Sequence, residues 1–296
     1  MRRSRILGLT AVGGAGAWAF VEPHLPVLRR RDIAVLPHGA APIRLLHLSD
    51  LHLLPRHTVR AAWVRGLARL EPHLVVSTGD HLSSTEALPL LVGTLAAFDA
   101  PGYFVPGNND YYSPRAPVPW RYFSAEGALQ HRVPDLPWPE AAAGLVEAGW
   151  TDLTHVRKEV IVAGTPITLT GTDDAHLRRD RYALVAGPVT GTGIGITHTP
   201  ARRVLDAMTL DGHALLLAGH THGGQVRLPL GGAMVTNCDL PRRQARGLTR
   251  RDGAWLHVSA GLGTSPYAPV RFCCRPEATL LTLLPTGQRS TTRSNA

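Results

Sequence analysis

Six short apolar runs punctuate the chain, each closed by a glycine, a proline or a polar residue: IRLLHLS (43–49), HLVVST (73–78), GYFVP (102–106), PITLTG (166–171), GIGITH (193–198) and ALLLAG (214–219). Runs this short and this rich in Leu, Val and Ile predict buried strands. Segments of helical character, 58–70, 86–98, 139–148 and 200–209, lie between several of them. The alternation predicts an α/β fold in which helices cover layered sheet. No internal repeat is evident.

Polar residues gather where the runs stop. LSDLHLL supplies Asp50 and His52, STGDHLS supplies Asp80 and His81, PGNND supplies Asn108, Asn109 and Asp110, THTP supplies His198, and GHTHGG supplies His220 and His222. In open α/β sheets ligands bind beyond the carboxyl ends of the strands, so these loops are expected to converge. In an extended segment residues two apart point the same way, which would bring Asp50 and His52 to one point, and His220 and His222 likewise. Carboxylate and neutral imidazole suit a divalent ion of the Mn, Fe or Zn kind, and the absence of thiolates argues against a Cys-type zinc site. One D-x-H alone reads as a surface pair; five loops acting together read as a metal site. Gly79, Gly107 and Gly219 each precede a candidate ligand, where a missing Cβ permits a sharp turn and a close approach.

The ordered set SDLH, GDH, GNND, THTP and GHTHGGQ resembles the calcineurin-like metallophosphoesterase superfamily over about residues 43–285. The late segment GLGTSPYAPVRFCCRPEATLLTL is similar to the closing segment of its membrane-associated bacterial branch. The resemblance implies an α/β two-sheet sandwich flanked by helices, with a dinuclear metal site at the strand C-terminal ends. It assigns Asp50, His52 and His222 to one divalent ion, Asn108, His198 and His220 to the other, and Asp80 to both. It further implies phosphoester hydrolysis, with a phosphodiesterase preferred, in which a hydroxide shared by the ions attacks phosphorus in line. One departure matters: the family has His as the third residue of G-N-H-D, and this chain has Asn109. An amide donates a hydrogen bond but delivers no proton at neutral pH, so a general-acid contribution of about 10²- to 10⁴-fold is absent or comes from elsewhere. His81 is the candidate replacement. The paired asparagines leave two registers, Asn108 as ligand being preferred to Asn109, with Asp110 orienting a neighbour. A catalytically impaired metal-binding regulator at the membrane stays open as the alternative. A metal-dependent amidohydrolase fits less well, because its barrel places H-x-H on an early strand. His47 and His73 read as packing histidines, and Asp173 and Asp174 as a structural polar corner.

Charge and composition change this picture at the edges. The net charge of +9 comes almost wholly from arginine, clustered at Arg2, Arg3 and Arg5, at Arg29–Arg31 and around Arg242–Arg251. That distribution suggests membrane-adjacent ends, and no aromatic-interleaved basic stripe supports nucleic-acid binding. Residues 1–31 carry a basic start and an uncharged stretch from Ile6 to Val21, read as a retained membrane anchor in preference to a signal segment. The expected organisation is therefore 1–31 as anchor or signal, 40–286 as the metallophosphoesterase domain and 287–296 as a disordered tail. Association with the cell membrane follows, on either face, and raises the expectation of a lipid- or nucleotide-linked phosphoester; oligomeric state is left open. The long segment after GNND brings Tyr111, Tyr112, Trp120, Tyr122 and Phe123, read equally as an apolar rim or as a packed cap. Cys238, Cys273 and Cys274 form no C-x-x-C spacing and read as structural.

Overall fold

The computed structural model describes residues 14, 16–115, 133–228 and 232–288. Trp120, Tyr122, Phe123 and the tail from 289 lie outside them. Two six-stranded sheets face one another. The first runs β1 (Val27–Leu36), β14 (Glu277–Pro285), β2 (Ile43–Leu48), β3 (Leu74–Thr78), β4 (Gly102–Val105) and β5 (Trp150–Asp152) in spatial order. The second runs β12 (Gly247–Arg251), β13 (Ala254–Val258), β9 (His213–Ala218), β8 (Thr192–Ile196), β7 (Thr165–Gly171) and β6 (Arg157–Val162). Each of the six apolar runs is a strand in this arrangement, β2, β3, β4, β7, β8 and β9. A short hairpin, β10 (Arg227–Leu228) with β11 (Gly232–Ala233), stands apart. Helices α1 (Thr58–Arg65), α2 (Leu88–Leu95) and α4 (Trp138–Glu147) accompany the first sheet, α3 (Asn108–Tyr111) is a single turn after β4, and α5 (Arg202–Leu210) accompanies the second sheet.

Neighbouring residues in these strands divide between layers, as the pleat requires. Leu45, Val76 and Val105 join Ile167, Leu169, Ile194, Leu215 and Leu217 in the core between the sheets. Their neighbours Leu46, Val75 and Phe104 turn outward onto Val64, Leu91, Leu95, Ala141 and Leu145 of the helices. Leu216 and Leu256 pack likewise on Val204, Leu205 and Met208 of α5. Burial on both faces is why these strands are continuous apolar runs.

β2, β3 and β4 are mutually parallel, as are β7, β8, β9 and β13, so the loops carrying the polar motifs leave their sheets at carboxyl ends. The first sheet starts earlier than residue 40: β1 pairs in parallel with β14 from Val27 opposite Glu277, so Val27–Arg31 are strand residues. The arginines in that stretch hid its strand character. Among the described residues no helix is long and apolar enough to cross a membrane.

Candidate metal centre

Asp50 and His52 follow β2, Asp80 follows β3, Asn108 opens α3 after β4, His198 follows β8, and His220 and His222 follow β9. The structure brings all seven together, though not by extended alternation. Asp50, His52, Asp80, His220 and His222 have φ of 51°, 43°, 53°, 68° and 48°. These are left-handed values that side chains with a Cβ rarely adopt. The chain therefore coils at SDLH, GDH and GHTH, while Asn108 and His198 are reached without a left-handed turn. Gly79 shares the habit with φ of 80°, and a Cβ there would meet Gly107 N at 2.6 Å and His198 Nδ1 at 2.7 Å. A Cβ on Gly219 would overlap Ser49 Oγ and the Asp50 carboxylate.

Asp50, His52, Asp80 and His222 offer ligand atoms all within 4.8 Å of one another. His52 Nε2 lies 3.2 Å from His222 Nε2 and 3.3 Å from Asp80 Oδ2. The other Asp80 oxygen, Oδ1, lies 3.4 Å from His198 Nε2. His220 Nδ1 is 3.3 Å from His198 Nε2 and 3.1 Å from Asn108 Oδ1. Asp80 thus stands between two adjoining donor sets.

Backbone carbonyls orient three of the imidazoles from their outer side. His198 Nδ1 donates to Thr78 O (2.6 Å), His222 Nδ1 to Gly263 O (3.1 Å), and His220 Nε2 to Asn237 O (3.1 Å). A carbonyl only accepts, so each of these bonds uses a proton on the outer nitrogen and turns the other ring nitrogen toward the centre of the cluster. His52 Nδ1 meets Ser83 Oγ at 3.3 Å on its own outer side. Imidazoles anchored in this way are characteristic of metal ligands, and the donor set of carboxylate, imidazole and amide oxygen fits Mn, Fe or Zn.

Electrostatics divide the imidazoles of the cluster. Burial, then the neighbouring charge of His198 for His220 and of His52 for His222, holds both imidazoles well below the ordinary histidine range and so neutral. Burial opposes ionisation of Asp80, yet His198 and His52 outweigh it and hold Asp80 well below the usual carboxylate range. For His198 burial is in turn outweighed by Asp80, Asp50 and Asp174, which raise it well above its ordinary value. Burial lifts Asp50, with the charge of Asp80 beside it adding to the effect. Asp50 is braced from behind by a buried chain: Ser49 Oγ donates to its Oδ2 (2.6 Å), Thr78 Oγ1 to Ser49 Oγ (2.7 Å), His47 Nε2 meets Thr78 Oγ1 (2.9 Å) and His47 Nδ1 meets His257 Nδ1 (2.8 Å).

A cavity of about 330 Å³ opens above Asp80, lined among others by Asn108, Asn109, His176, Gln225, Ser265 and Tyr267. Asn109 donates its backbone N–H to Asp80 Oδ1 and its amide to Asp80 Oδ2, both at 2.7 Å. The amide nitrogen of Asn109 therefore faces a carboxylate, while the amide oxygen of Asn108 faces His220.

His81 is placed elsewhere, which corrects its assignment as the replacement acid. It is fully buried, stacked on Trp138 with ring centroids 5.6 Å apart. Its Nδ1 is 2.9 Å from Asp110 Oδ2 and its Nε2 is 2.8 Å from Ser77 Oγ. Both nitrogens are engaged and neither reaches the cavity. Asp110 ties this histidine to the loop by also accepting Gly107 N and His81 N. Asp174 accepts Thr199 Oγ1 and Leu177 N, bracing the loop that carries His198, and Asp173 accepts Tyr111 Oη and Arg179 Nε. Tyr111 and Tyr112 are buried in the core beneath the first sheet's helices and do not form a rim.

Sequence reasoning missed three contributors. His176 lines the cavity with its ring 5.0 Å from that of His220. Asn237 supplies the carbonyl that orients His220. Arg271, fully buried, donates to Ala260 O (2.8 Å), Gly261 O (3.2 Å), Gly263 O (2.7 Å) and Cys274 O (3.1 Å), and so shapes the loop that anchors His222. The "DDAH" histidine was visible as a ligand-type residue after a strand; the other two carry no local signal.

The family model for calcineurin-like phosphoesterases matches residues 43–224. The uncharacterized metallophosphoesterase YkuE of Bacillus subtilis (strain 168) is 26% identical over 290 residues, covering 93% of this chain and 91% of that one. The phosphodiesterase YaeI of Escherichia coli (strain K12) is 27% identical over 295 residues, covering 95% and 99%. Among solved structures, the phosphopantetheinyl hydrolase PptH of Mycobacterium tuberculosis aligns with a TM-score of 0.45 at 14% identity, over 88% of this chain and 100% of that one. The family match covers more than half of the sequence and includes every residue that converges on Asp80. The chain therefore belongs to the calcineurin-like phosphoesterase family and is a metallophosphoesterase, a hydrolase of a family that uses divalent metals.

Proposed function

We propose that the protein is a phosphodiesterase with a two-ion centre, in which Asp50, His52 and His222 hold one divalent cation, Asn108, His198 and His220 hold the other, and Asp80 serves both. The observation that carries this reading is the gathering of ligand atoms around Asp80: those of Asp50, His52, Asp80 and His222 lie within 4.8 Å of one another, and His198, His220 and Asn108 adjoin the other Asp80 oxygen. Divalent cations held there supply Lewis acidity toward a phosphoryl oxygen and a nucleophile at neutral pH. Asn109 keeps the two oxygens of Asp80 oriented through its paired N–H bonds. Its half-buried position at the cavity floor also puts it beside an incoming phosphoryl group. His176, half-buried on the cavity wall, takes the place of His81 as the group that passes a proton to the leaving alcohol. The diester preference draws support from YaeI, whose name records that activity for that protein. Exposed Trp18, Phe20, Val21 and Leu25 support a membrane-surface contact by the N-terminal segment, and with it a lipid-linked substrate.

The test is hydrolysis of bis(p-nitrophenyl) phosphate and p-nitrophenyl phosphate by protein stripped of metal and then titrated with Mn²⁺, Fe²⁺ or Zn²⁺, beside Asp80→Asn. Metal-dependent turnover, faster on the diester and lost in Asp80→Asn, is expected. Two ions bound per chain without turnover on either ester would instead support the impaired regulator, for which Asn109 at the family's His position is the specific observation.

A further inference from the structure

His47 and His257 stand where the fold calls for apolar residues. His47 is on β2, two residues beyond Leu45, and His257 is on β13, two beyond Trp255 and between Leu256 and Val258, which turn toward α5. Both imidazoles therefore point into the layer between the sheets that holds Leu45, Val76 and Leu217, and both are buried. Their Nδ1 atoms meet across that layer at 2.8 Å, one from each sheet. A polar pair in such a place costs free energy unless its hydrogen bonds are made, and an apolar pair of similar shape would serve packing as well.

The bonds that lead away from this pair run in one direction. Ser49 Oγ is 2.6 Å from Asp50 Oδ2, with Thr78 O a more distant acceptor at 3.3 Å. A carboxylate that holds a cation only accepts, so Ser49 donates, and its oxygen accepts from Thr78 Oγ1, 2.7 Å away. Thr78, its one proton spent, accepts from His47 Nε2 at 2.9 Å. Burial holds both histidines neutral, His47 well below the ordinary range and His257 at about 4. A neutral His47 protonated on Nε2 has a bare Nδ1, which takes the proton of His257 Nδ1. Every donor from His257 to Asp50 is thereby assigned. The Ser49 bond is also the one that tells the two Asp50 oxygens apart. The backbone N–H of His220 reaches both, at 3.1 and 3.2 Å, whereas Ser49 takes Oδ2 and leaves Oδ1 facing His222 Nε2 at 3.5 Å. His257 itself lines a polar cavity with Arg29, Arg31, Arg246 and Glu277.

We propose that His47 and His257 are positioning residues of the metal centre, which fix, through Thr78 and Ser49, the Asp50 oxygen that is turned toward a cation. This rests on the reading of Asp50 as a metal ligand. His257 is four hydrogen bonds from the Asp50 carboxylate, so its influence on that carboxylate passes through the chain. Thr78 ties the chain to the second donor set as well, because its carbonyl accepts His198 Nδ1.

The experiment is calorimetric titration of metal-stripped, full-length protein with Zn²⁺, comparing the native chain with His257→Leu, His257→Asn and His213→Leu. His257→Leu removes the donor and keeps an apolar side chain in the layer, and one of two binding events should weaken about tenfold. His257→Asn puts an amide nitrogen where Nδ1 stood and should recover most of that loss. His213, also buried, bonds Met208 O and Thr170 Oγ1, both at 2.8 Å, and lies outside the chain. His213→Leu should lower the melting temperature yet bind Zn²⁺ as the native protein does. In the Zn²⁺-loaded native protein, long-range proton–nitrogen correlation spectra should show His47 protonated on Nε2 alone and His257 on Nδ1 alone. Those spectra need no variant, so they decide even where His257→Leu does not fold. The opposite tautomers, native affinity in His257→Leu, or an Asn variant as weak as the Leu variant would overturn the proposal and leave the metal centre in place. A native protein that takes up no Zn²⁺ would overturn both.

Discussion

Arg271→Met replaces the guanidinium behind the site with an apolar side chain of similar reach. The native group makes four hydrogen bonds to carbonyls of the closing loop, at 2.7 to 3.2 Å. Three of these acceptors share the two N–H groups of Nη2, so at most three full bonds form; at about 1.5–3 kcal/mol each they would total about 4.5–9 kcal/mol if nothing offset them. The substitution also relieves the desolvation of a wholly buried cation, so a net loss of about 3–5 kcal/mol is expected. At roughly 2–4 °C per kcal/mol for a chain of this size, melting should fall by about 10 °C. The same loop carries Gly263 O, which anchors His222 Nδ1 at 3.1 Å. Loss of such an orienting partner typically lowers metal affinity by about 10–100-fold. Differential scanning fluorimetry reads the first effect, and titration of stripped protein with Mn²⁺ the second. Arg271→Lys, which keeps the charge and loses the fork, should fall between. A Met variant that melts within about 2 °C of the native protein and binds metal equally well would refute the carbonyl-cage argument.

Two other outcomes follow from buried groups that do not line the cavity above Asp80. Glu277 is held at about 2 against an ordinary 4.5, burial being outweighed by Arg246 and Arg29. Because the folded value is the lower one, its stabilisation is complete above about pH 4.5 and fades as pH falls toward 2; linkage puts the loss at about 2 kcal/mol by pH 3, measurable as the gap between native protein and Glu277→Gln in urea unfolding at pH 7 and pH 3. His81→Gln should lower the melting temperature, because Asp110 loses a buried partner, while the pH–rate profile keeps its shape. Disappearance of a titrating limb from that profile would restore His81 to the chemistry.

The site was more legible in the sequence than the frame around it, for physical reasons. Strands buried on both faces must be apolar throughout, so β2, β3, β4, β7, β8 and β9 announced themselves. β6, reading RKEVIV, has exposed residues at much of its length, and β1 buries Ile33 and Leu36 while Arg29 and Arg31 face a polar cavity. Neither has the composition that marks a core strand. The ligands were legible because Asp, Asn and His at strand ends are chemically conspicuous. Arg271 was not, because a caged guanidinium depends on carbonyls that only the folded loop assembles.

How those ligands meet also decides how the site is prepared for metal. A left-handed residue with a Cβ costs about 1–2 kcal/mol, so the five at Asp50, His52, Asp80, His220 and His222 represent about 5–10 kcal/mol of local strain. Such a strain persists only where surrounding structure over-determines it. Here the loops are bonded to one another: Asp50 N donates to Gly79 O (3.0 Å), His52 N to Asp80 O (2.9 Å), Gly219 N to His198 O (2.8 Å) and Leu262 N to Ser49 O (3.0 Å). None of these bonds involves a ligand atom, so the backbone itself braces the turns. These bonds hold the donor-bearing turns side by side. Relaxing one turn would release strain but unpick bonds shared with a second motif, which is why the five motifs act as one site and not as five separate surface pairs.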